Sequence, residues 1–223
     1  QTKAIVSVGI MMLQEEGKLL ISDPLSNYIP EFEESTVAVK SADGSFTVEK
    51  AKRQIILRDL LTHTAGIDYG YGLASKEWEE AGMQGWYFAH RNEPVLETVK
   101  RMAKLPMEAH PGEKYVYGYS TDILGAVIEV VSGQSLDVFL KERILDPLGM
   151  IDTYFYLPKS KASRLSVVYS QCGNKLLRAA TDGRPQFKWD DEVNCIGNNQ
   201  TQGQYLNGPR RSFSGGAGLL STS

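Results

Sequence analysis

Lys3 stands at the head of an uncharged run over residues 4–13 and is the first candidate for chemistry. The positive end of a helix dipole opposes a cation in the first turn by about 0.3–1 kcal/mol. Burial against apolar neighbours would penalise the charged form further. Both effects favour a neutral, basic amine. Residues three apart share a helix face, so such an amine can take the proton of a serine hydroxyl three positions earlier. That position lies immediately before Gln1, and no Ser-x-x-Lys spacing occurs within the chain. A Gly-x-Ser-x-Gly elbow is also absent from the sequence. The competing reading of Lys3 is a frayed, solvated terminal residue.

A second candidate follows the turn at Pro111-Gly112, in the string Tyr115-Val116-Tyr117-Gly118-Tyr119-Ser120. A tyrosine cluster on the lip of a helix can place a phenol, here Tyr117, opposite the start of the first helix. Because a phenol titrates near 10, it serves as a base at neutral pH only where a cation favours the phenolate. Lys3 is the cation that could do this. The competing reading is that these tyrosines pack half-buried with wet hydroxyls.

These residues need elements to hold them. The pattern predicts a first helix over 3–16, stopped by Gly17 and apolar on all faces, hence buried all round. Asp23-Pro24 predicts an N-cap and a short helix toward Tyr28. Asp43-Gly44 is a turn dipeptide between β-prone pieces. Helices are expected over 55–61, 94–104 and 121–131, and another capped by Ser135. Residues 68–72, rich in glycine and tyrosine, suit a loop that presents aromatic rings. After Met150 come short apolar pieces at 153–157 and 166–169, then a polar stretch over 171–207 that reads as extended loop or weak hairpin.

Composition narrows the function classes. A chain of 223 residues is long enough for a substantial core. Its 42% hydrophobic and 23% charged residues are ordinary for a globular protein. A net charge of −3 argues against a nucleic-acid partner, which calls for a basic stripe. No run of about 18 apolar residues is present to span a membrane. The chain starts without Met or a charged-then-apolar leader, which reads as a break in a longer chain, and localisation stays open. Cys172 and Cys195 could pair or remain free, and their spacing is not that of a metal site.

Taken in order, Thr2-Lys3 with its helix, Leu60-Leu61-Thr62-His63-Thr64-Ala65-Gly66, Pro111-Gly112 with Tyr117-Gly118-Tyr119-Ser120 and Leu124-Gly125, Asp146-Pro147-Leu148-Gly149-Met150, and Gly215-Gly216-Ala217-Gly218-Leu219 form a pattern. That pattern resembles the serine β-lactamase-like hydrolases, in the branch of class C β-lactamases, related esterases and D-aminopeptidases. The resemblance implies an α/β chain of the α+β type with the β-lactamase/penicillin-binding-protein-like fold. It implies a core helix at 1–17, a mainly helical domain at 18–165 and a return to the α/β domain at 166–223, with an antiparallel sheet incomplete in this chain.

The same resemblance makes Lys3 the lysine of Ser-x-x-Lys and Tyr117 the tyrosine of Tyr-x-Asn. Tyr119 then stands at a substrate-binding position where the family has asparagine, a departure that leans toward esters. The serine is expected just before Gln1, and the Lys-Thr-Gly or His-x-Gly strand beyond Ser223. His110-Pro111-Gly112 and Tyr205-Leu206-Asn207 fit family motifs by letters but sit in the wrong places. His63 invites a triad, yet its string implies a hydrogen-bonding turn beside the site. Asp190-Asp191-Glu192 reads as a solvated loop rather than a metal site, and Gly215 to Gly218 as close backbone packing. The implied partner is a small-molecule ester, amide or lactam, with no metal or organic cofactor, and the chain itself is expected to be inactive. The rival reading is a non-catalytic relative that binds peptide or cell-wall fragments.

Overall fold

The computed structural model describes residues 1–85, 88–172, 175–178, 195–196 and 201–222. Helix α1 spans Thr2–Glu15, and Gly17 follows at φ +68°, a left-handed stop that glycine adopts without strain. Its buried residues are Thr2, Val6, Gly9, Ile10 and Leu13, while Val8 and Met11 lie open to solvent. The expected all-round burial is therefore corrected. The helices packed on α1 cover one side of it, and hydrophobic residues beyond that side stay exposed.

Two 3-10 turns, Leu25–Asn27 and Pro30–Phe32, replace the short helix expected after Asp23-Pro24. Asp23 serves there as a pin, accepting from the Leu20 N–H at 2.7 Å and the Tyr28 hydroxyl at 2.5 Å. Strands β1 (Thr36–Lys40) and β2 (Phe46–Lys50) form the antiparallel hairpin that Asp43-Gly44 predicts, with Thr36 opposite Lys50. Gly44 turns at φ +90°, and Asp43 accepts the Ser45 N–H.

The helical body comprises α2 (Leu57–Leu61), α3 (Ser75–Glu80), α4 (Val95–Met102), α5 (Ser120–Ser132) and α6 (Leu136–Leu140). Alpha 5 is the axis of this body: residues 120–128 are all buried, and the helix packs against α1, α2, α4 and α6. Its close approach to α1 needs Gly9, where an added Cβ would meet Ile128 Cδ1 at 3.0 Å and Phe139 Cε1 at 3.1 Å. Gly133 ends α5 at φ +70°.

Beyond Met150 the apolar piece at 153–157 forms a single bridge, Tyr154 to Leu220, rather than a strand. Strands β3 (Tyr169–Cys172), β4 (Lys175–Arg178) and β5 (Cys195–Ile196) make an antiparallel sheet ordered β4-β3-β5. Its register sets Cys172 opposite Cys195. Helix α7 (Thr201–Asn207) lies where the polar composition predicted loop. Tyr205 supplies the reason, since its side chain is buried and its carbonyl accepts the Leu157 N–H at 2.9 Å. Asp190-Asp191-Glu192 lie outside the described residues. Among the described residues no single helix is long and apolar enough to cross a membrane.

Candidate active site

The turn at residues 62–66 builds one wall. Asp59, at the start of α2, accepts a bidentate pair of hydrogen bonds from Arg53 at 2.6 and 2.9 Å and the Ile56 N–H at 3.0 Å. Past the helix end, His63 adopts φ +55° and its carbonyl accepts the Val116 N–H at 2.7 Å. The Gly112 N–H donates to Thr64 O and the Glu108 N–H to Gly66 O, both at 2.8 Å. The Leu-Thr-His-Thr-Ala-Gly string is thus stitched along the segment that leads into Tyr117.

Gly118 brings a second loop against the same segment. A Cβ there would lie 2.5 Å from Asp68 Cα and nearer still to the Ile67 carbonyl, so only glycine allows the two backbones to touch. Asp68 accepts the Gly70 and Tyr71 N–H groups at 2.9 and 3.0 Å, closing the loop and aiming Tyr69 at Tyr117. The two rings meet edge to face, 5.7 Å between centroids.

Lys3 reaches this cluster from the first turn of α1. Its Nζ donates to Gly216 O at 2.5 Å and to the Tyr69 hydroxyl at 3.4 Å, and lies 4.9 Å from the Tyr117 ring centroid. The surroundings are therefore polar and aromatic, where apolar neighbours were expected. A carbonyl, a hydroxyl and a ring face are all groups that engage an ammonium. Lys3 and Tyr117 come together through the ring face, and the amine's hydrogen bonds go to Gly216 and Tyr69.

The 214–219 segment closes the floor. Its Leu219 N–H donates to Thr2 Oγ1 at 3.0 Å, and its Gly218 N–H to Ser214 O at 2.9 Å. Asp122, fully buried on α5, accepts the Ser214 hydroxyl at 2.6 Å and the Gly216 N–H at 3.0 Å. Burial raises the Asp122 carboxyl to about 6, against the opposing pull of Ser214, Gly216 and the Lys3 charge. Burial likewise raises the Tyr69 phenol well above its ordinary value, with the Asp122 charge and Tyr117 adding to it. Gly215 and Gly216 press directly on α5, which is the close packing expected of the glycine string.

Tyr119 sits differently from its sequence reading, and His63 keeps the turn its string implied. Tyr119 is fully buried, its hydroxyl sharing its one proton between Met83 O at 2.5 Å and Gly85 O at 2.6 Å, with its ring against Trp78, Phe88 and Tyr69. It presents no free polar atom to a ligand and instead backs Tyr69, 4.9 Å away. His63 stands beside the site in the expected hydrogen-bonding turn, held by its backbone groups. Its ring lies tilted against Tyr117, 4.8 Å between centroids, and Nδ1 is buried with no partner. Burial, then the Lys3 charge, lowers the His63 imidazole below its usual range, so the ring is neutral at pH 7.

Sequence reasoning missed Tyr69, Asp122 and Ser214. The available signals were a tyrosine in a glycine-rich loop and a lone carboxylate in the apolar run of α5. Among the described residues no group of three or more His, Cys, Asp or Glu is placed to hold a metal ion. A cleft of about 410 Å³ that includes Asp137, Met150, Tyr154 and Arg210 meets the candidate site's floor at Leu219 but is not lined by Lys3, Tyr69 or Tyr117.

A lysine on a core helix facing a tyrosine at the lip of the next central helix is the arrangement to compare with known proteins, and a family model described as Beta-lactamase matches residues 1–223. The chain belongs to the beta-lactamase family. Esterase EstB of Burkholderia gladioli is 30% identical over 171 residues, covering 75% of this chain and 40% of that protein. Lovastatin esterase of Penicillium rubens is 31% identical over 157 residues, covering 70% and 38%. Among solved structures, EstCE1, titled a hydrolase with promiscuous acyltransferase activity, superposes with TM-score 0.73 at 25% identity over 99% of this chain and 53% of its own. Unliganded simvastatin synthase LovD of Aspergillus terreus, at 22% identity, shares the fold with TM-score 0.60 over 92% and 49%. The chain spans less than half the length of the curated relatives it matches. The beta-lactamase/penicillin-binding-protein-like fold expected from the motifs is thereby established.

Proposed function

We propose that the full-length protein is a serine hydrolase working through an acyl-enzyme, with esters favoured over amides and β-lactams. The observation that carries this reading is the meeting of Lys3 with the Tyr117 ring at 4.9 Å beside the head of α1. A serine immediately preceding Gln1 attacks the substrate carbonyl. Lys3 and Tyr117 carry its proton to the leaving group, and water then releases the acyl group. The serine's own N–H supplies one oxyanion donor, and a strand beyond Ser223 supplies the second. Tyr69 steadies both the amine and the phenol.

Residues 1–223 alone then do not turn over substrate, because a lost oxyanion donor costs about 10²–10³ and a lost nucleophile more. The ester preference is supported by the esterases among the relatives. It is also supported by the buried Tyr119, which leaves no amide at the position that would bind a lactam carbonyl.

The test treats the full-length protein with a fluorophosphonate probe and a penicillin, then compares a short-chain nitrophenyl ester with a chromogenic cephalosporin. Labelling at the serine before Gln1 and faster ester cleavage are expected. Labelling by neither probe overturns the acyl-enzyme reading, and alanine or glycine before Gln1 turns it into the peptide-binding one.

A further inference from the structure

Asp122 is a carboxylate with no exposure, on the central helix, and the proton relay above makes no use of it. Its Oδ1 takes two hydrogen bonds, from Ser214 Oγ at 2.6 Å and from the Gly216 N–H at 3.0 Å, while Oδ2 is buried without a partner. Burying a carboxylate is costly unless its interactions repay it. Here the interactions converge on one residue. The N–H of Gly216 goes to Asp122 and the carbonyl of Gly216 receives the Lys3 ammonium at 2.5 Å. Gly216 therefore joins a fixed point on α5 to the working end of a flexible four-carbon side chain on α1. A side chain at 216 is impossible without moving this joint, since its Cβ would fall inside contact distance of Asp122 Oδ2.

We infer that Asp122 is a positioning residue for Lys3, clamping the Ser214 to Gly216 turn so that the Gly216 carbonyl holds the lysine amine at the place where the reacting serine is met. The inference rests on the reading of Lys3 as the proton-transferring amine, but the clamp is a property of the chain that can be measured without turnover. Asp122 touches no substrate and acts through the turn.

The first measurement is the rate at which an amine-reactive reagent modifies Lys3 in the folded protein, read peptide by peptide by mass spectrometry. Exposed Lys50 serves as the internal reference. Asp122→Ala should raise the Lys3 rate about tenfold, the worth of one charge-assisted hydrogen bond, and leave Lys50 unchanged. Asp122→Asn keeps an acceptor for Ser214 and Gly216 and should return the rate to within about twofold of wild type. Gly216→Ala leaves the carboxylate in place but displaces the joint, and should raise the rate about threefold or more. It decides the matter if Asp122→Ala does not fold. An unchanged Lys3 rate in folded Asp122→Ala, or in Gly216→Ala, overturns the inference.

The second measurement is ester hydrolysis by the full-length protein. Asp122→Ala should lower kcat about 30-fold or more with KM within about twofold, and Asp122→Asn should recover most of it. A KM effect with kcat preserved would overturn the clamp. A wild-type protein that cleaves no ester would instead sink the functional reading, and the Lys3 modification rates would still decide this one.

Discussion

Helix α5 carries two acids, fully buried Asp122 at its head and half-buried Glu129 toward its tail, and they behave differently. At its head, Asp122 takes two hydrogen bonds and feels the Lys3 charge, and its carboxyl rises only to about 6. Toward its tail, Glu129 takes one, from the Leu136 N–H at 3.0 Å, with Asp137 nearby adding repulsion, and rises to about 7. Burial is the first cause at both. The number and sign of partners then set how far each carboxyl is raised. The head of α5 is thus organised around an acid that fixes the 214–216 turn, and the tail around an acceptor that joins α5 to α6.

The largest effect that would break this comparison is on turnover. Tyr117→Phe in the full-length protein should lower kcat about 10²–10³-fold. Its melting temperature should stay within a few degrees, since Tyr117 is half exposed. Glu129→Gln, at the other end, should leave kcat unchanged. Comparable losses in the two variants would show that the two ends are not functionally distinct.

A smaller effect concerns the loop that aims Tyr69. Gly118→Ala forces a methyl group into the Asp68 backbone and should destabilise the fold by about 1–3 kcal/mol in denaturant titration. Asp68 and Tyr69 should move together, so that Lys3 modification rises as well. Loss of stability with no change at Lys3 would separate the loop from the site.

The smallest effect is on the pH dependence of stability. Both carboxyls on α5 lie above their unfolded values, so the folded state holds more protons, and that stabilisation is lost as pH rises through about 6 and about 7. Glu93 and Asp152 are held near 2 by their basic partners, first by Arg101 and by Arg164 respectively. Their contribution is present above the ordinary carboxylate range and lost as pH falls toward 2. Stability should therefore peak near about pH 4 in thermal melts and fall from there toward about pH 7. Glu129→Gln keeps an acceptor for Leu136 and removes the titration, and should raise stability at pH 8 by roughly 1 kcal/mol. A melting curve that is equally steep from pH 6 to 8 in the variant would place the titration elsewhere.

Much of the helical body was legible from local chemistry. Gly17 and Asp43-Gly44 mark real turns, because a left-handed backbone or an Asx turn is settled by a few adjacent residues. The order of motifs also pointed to the family and to Lys3 and Tyr117 as a pair. The exposed face of α1 was not legible, because hydrophobicity on all sides says nothing of which side a neighbour covers. Nor was α7, whose polar residues conceal one buried tyrosine. Tyr117 and Tyr119 illustrate the limit most directly. They are two positions apart and alike in type, yet one lines the site and the other fills the core.

By itself the chain's order of residues determined the turns, the α5 axis and the two candidates at the heads of α1 and α5, since these depend on neighbours a few positions apart. Tertiary structure alone decided that Gly216 links Asp122 to Lys3, that Tyr69 stands between amine and phenol, and that Tyr119 is withdrawn. Those roles depend on which distant backbones come within hydrogen-bonding reach, and that is settled only when the helices and loops pack.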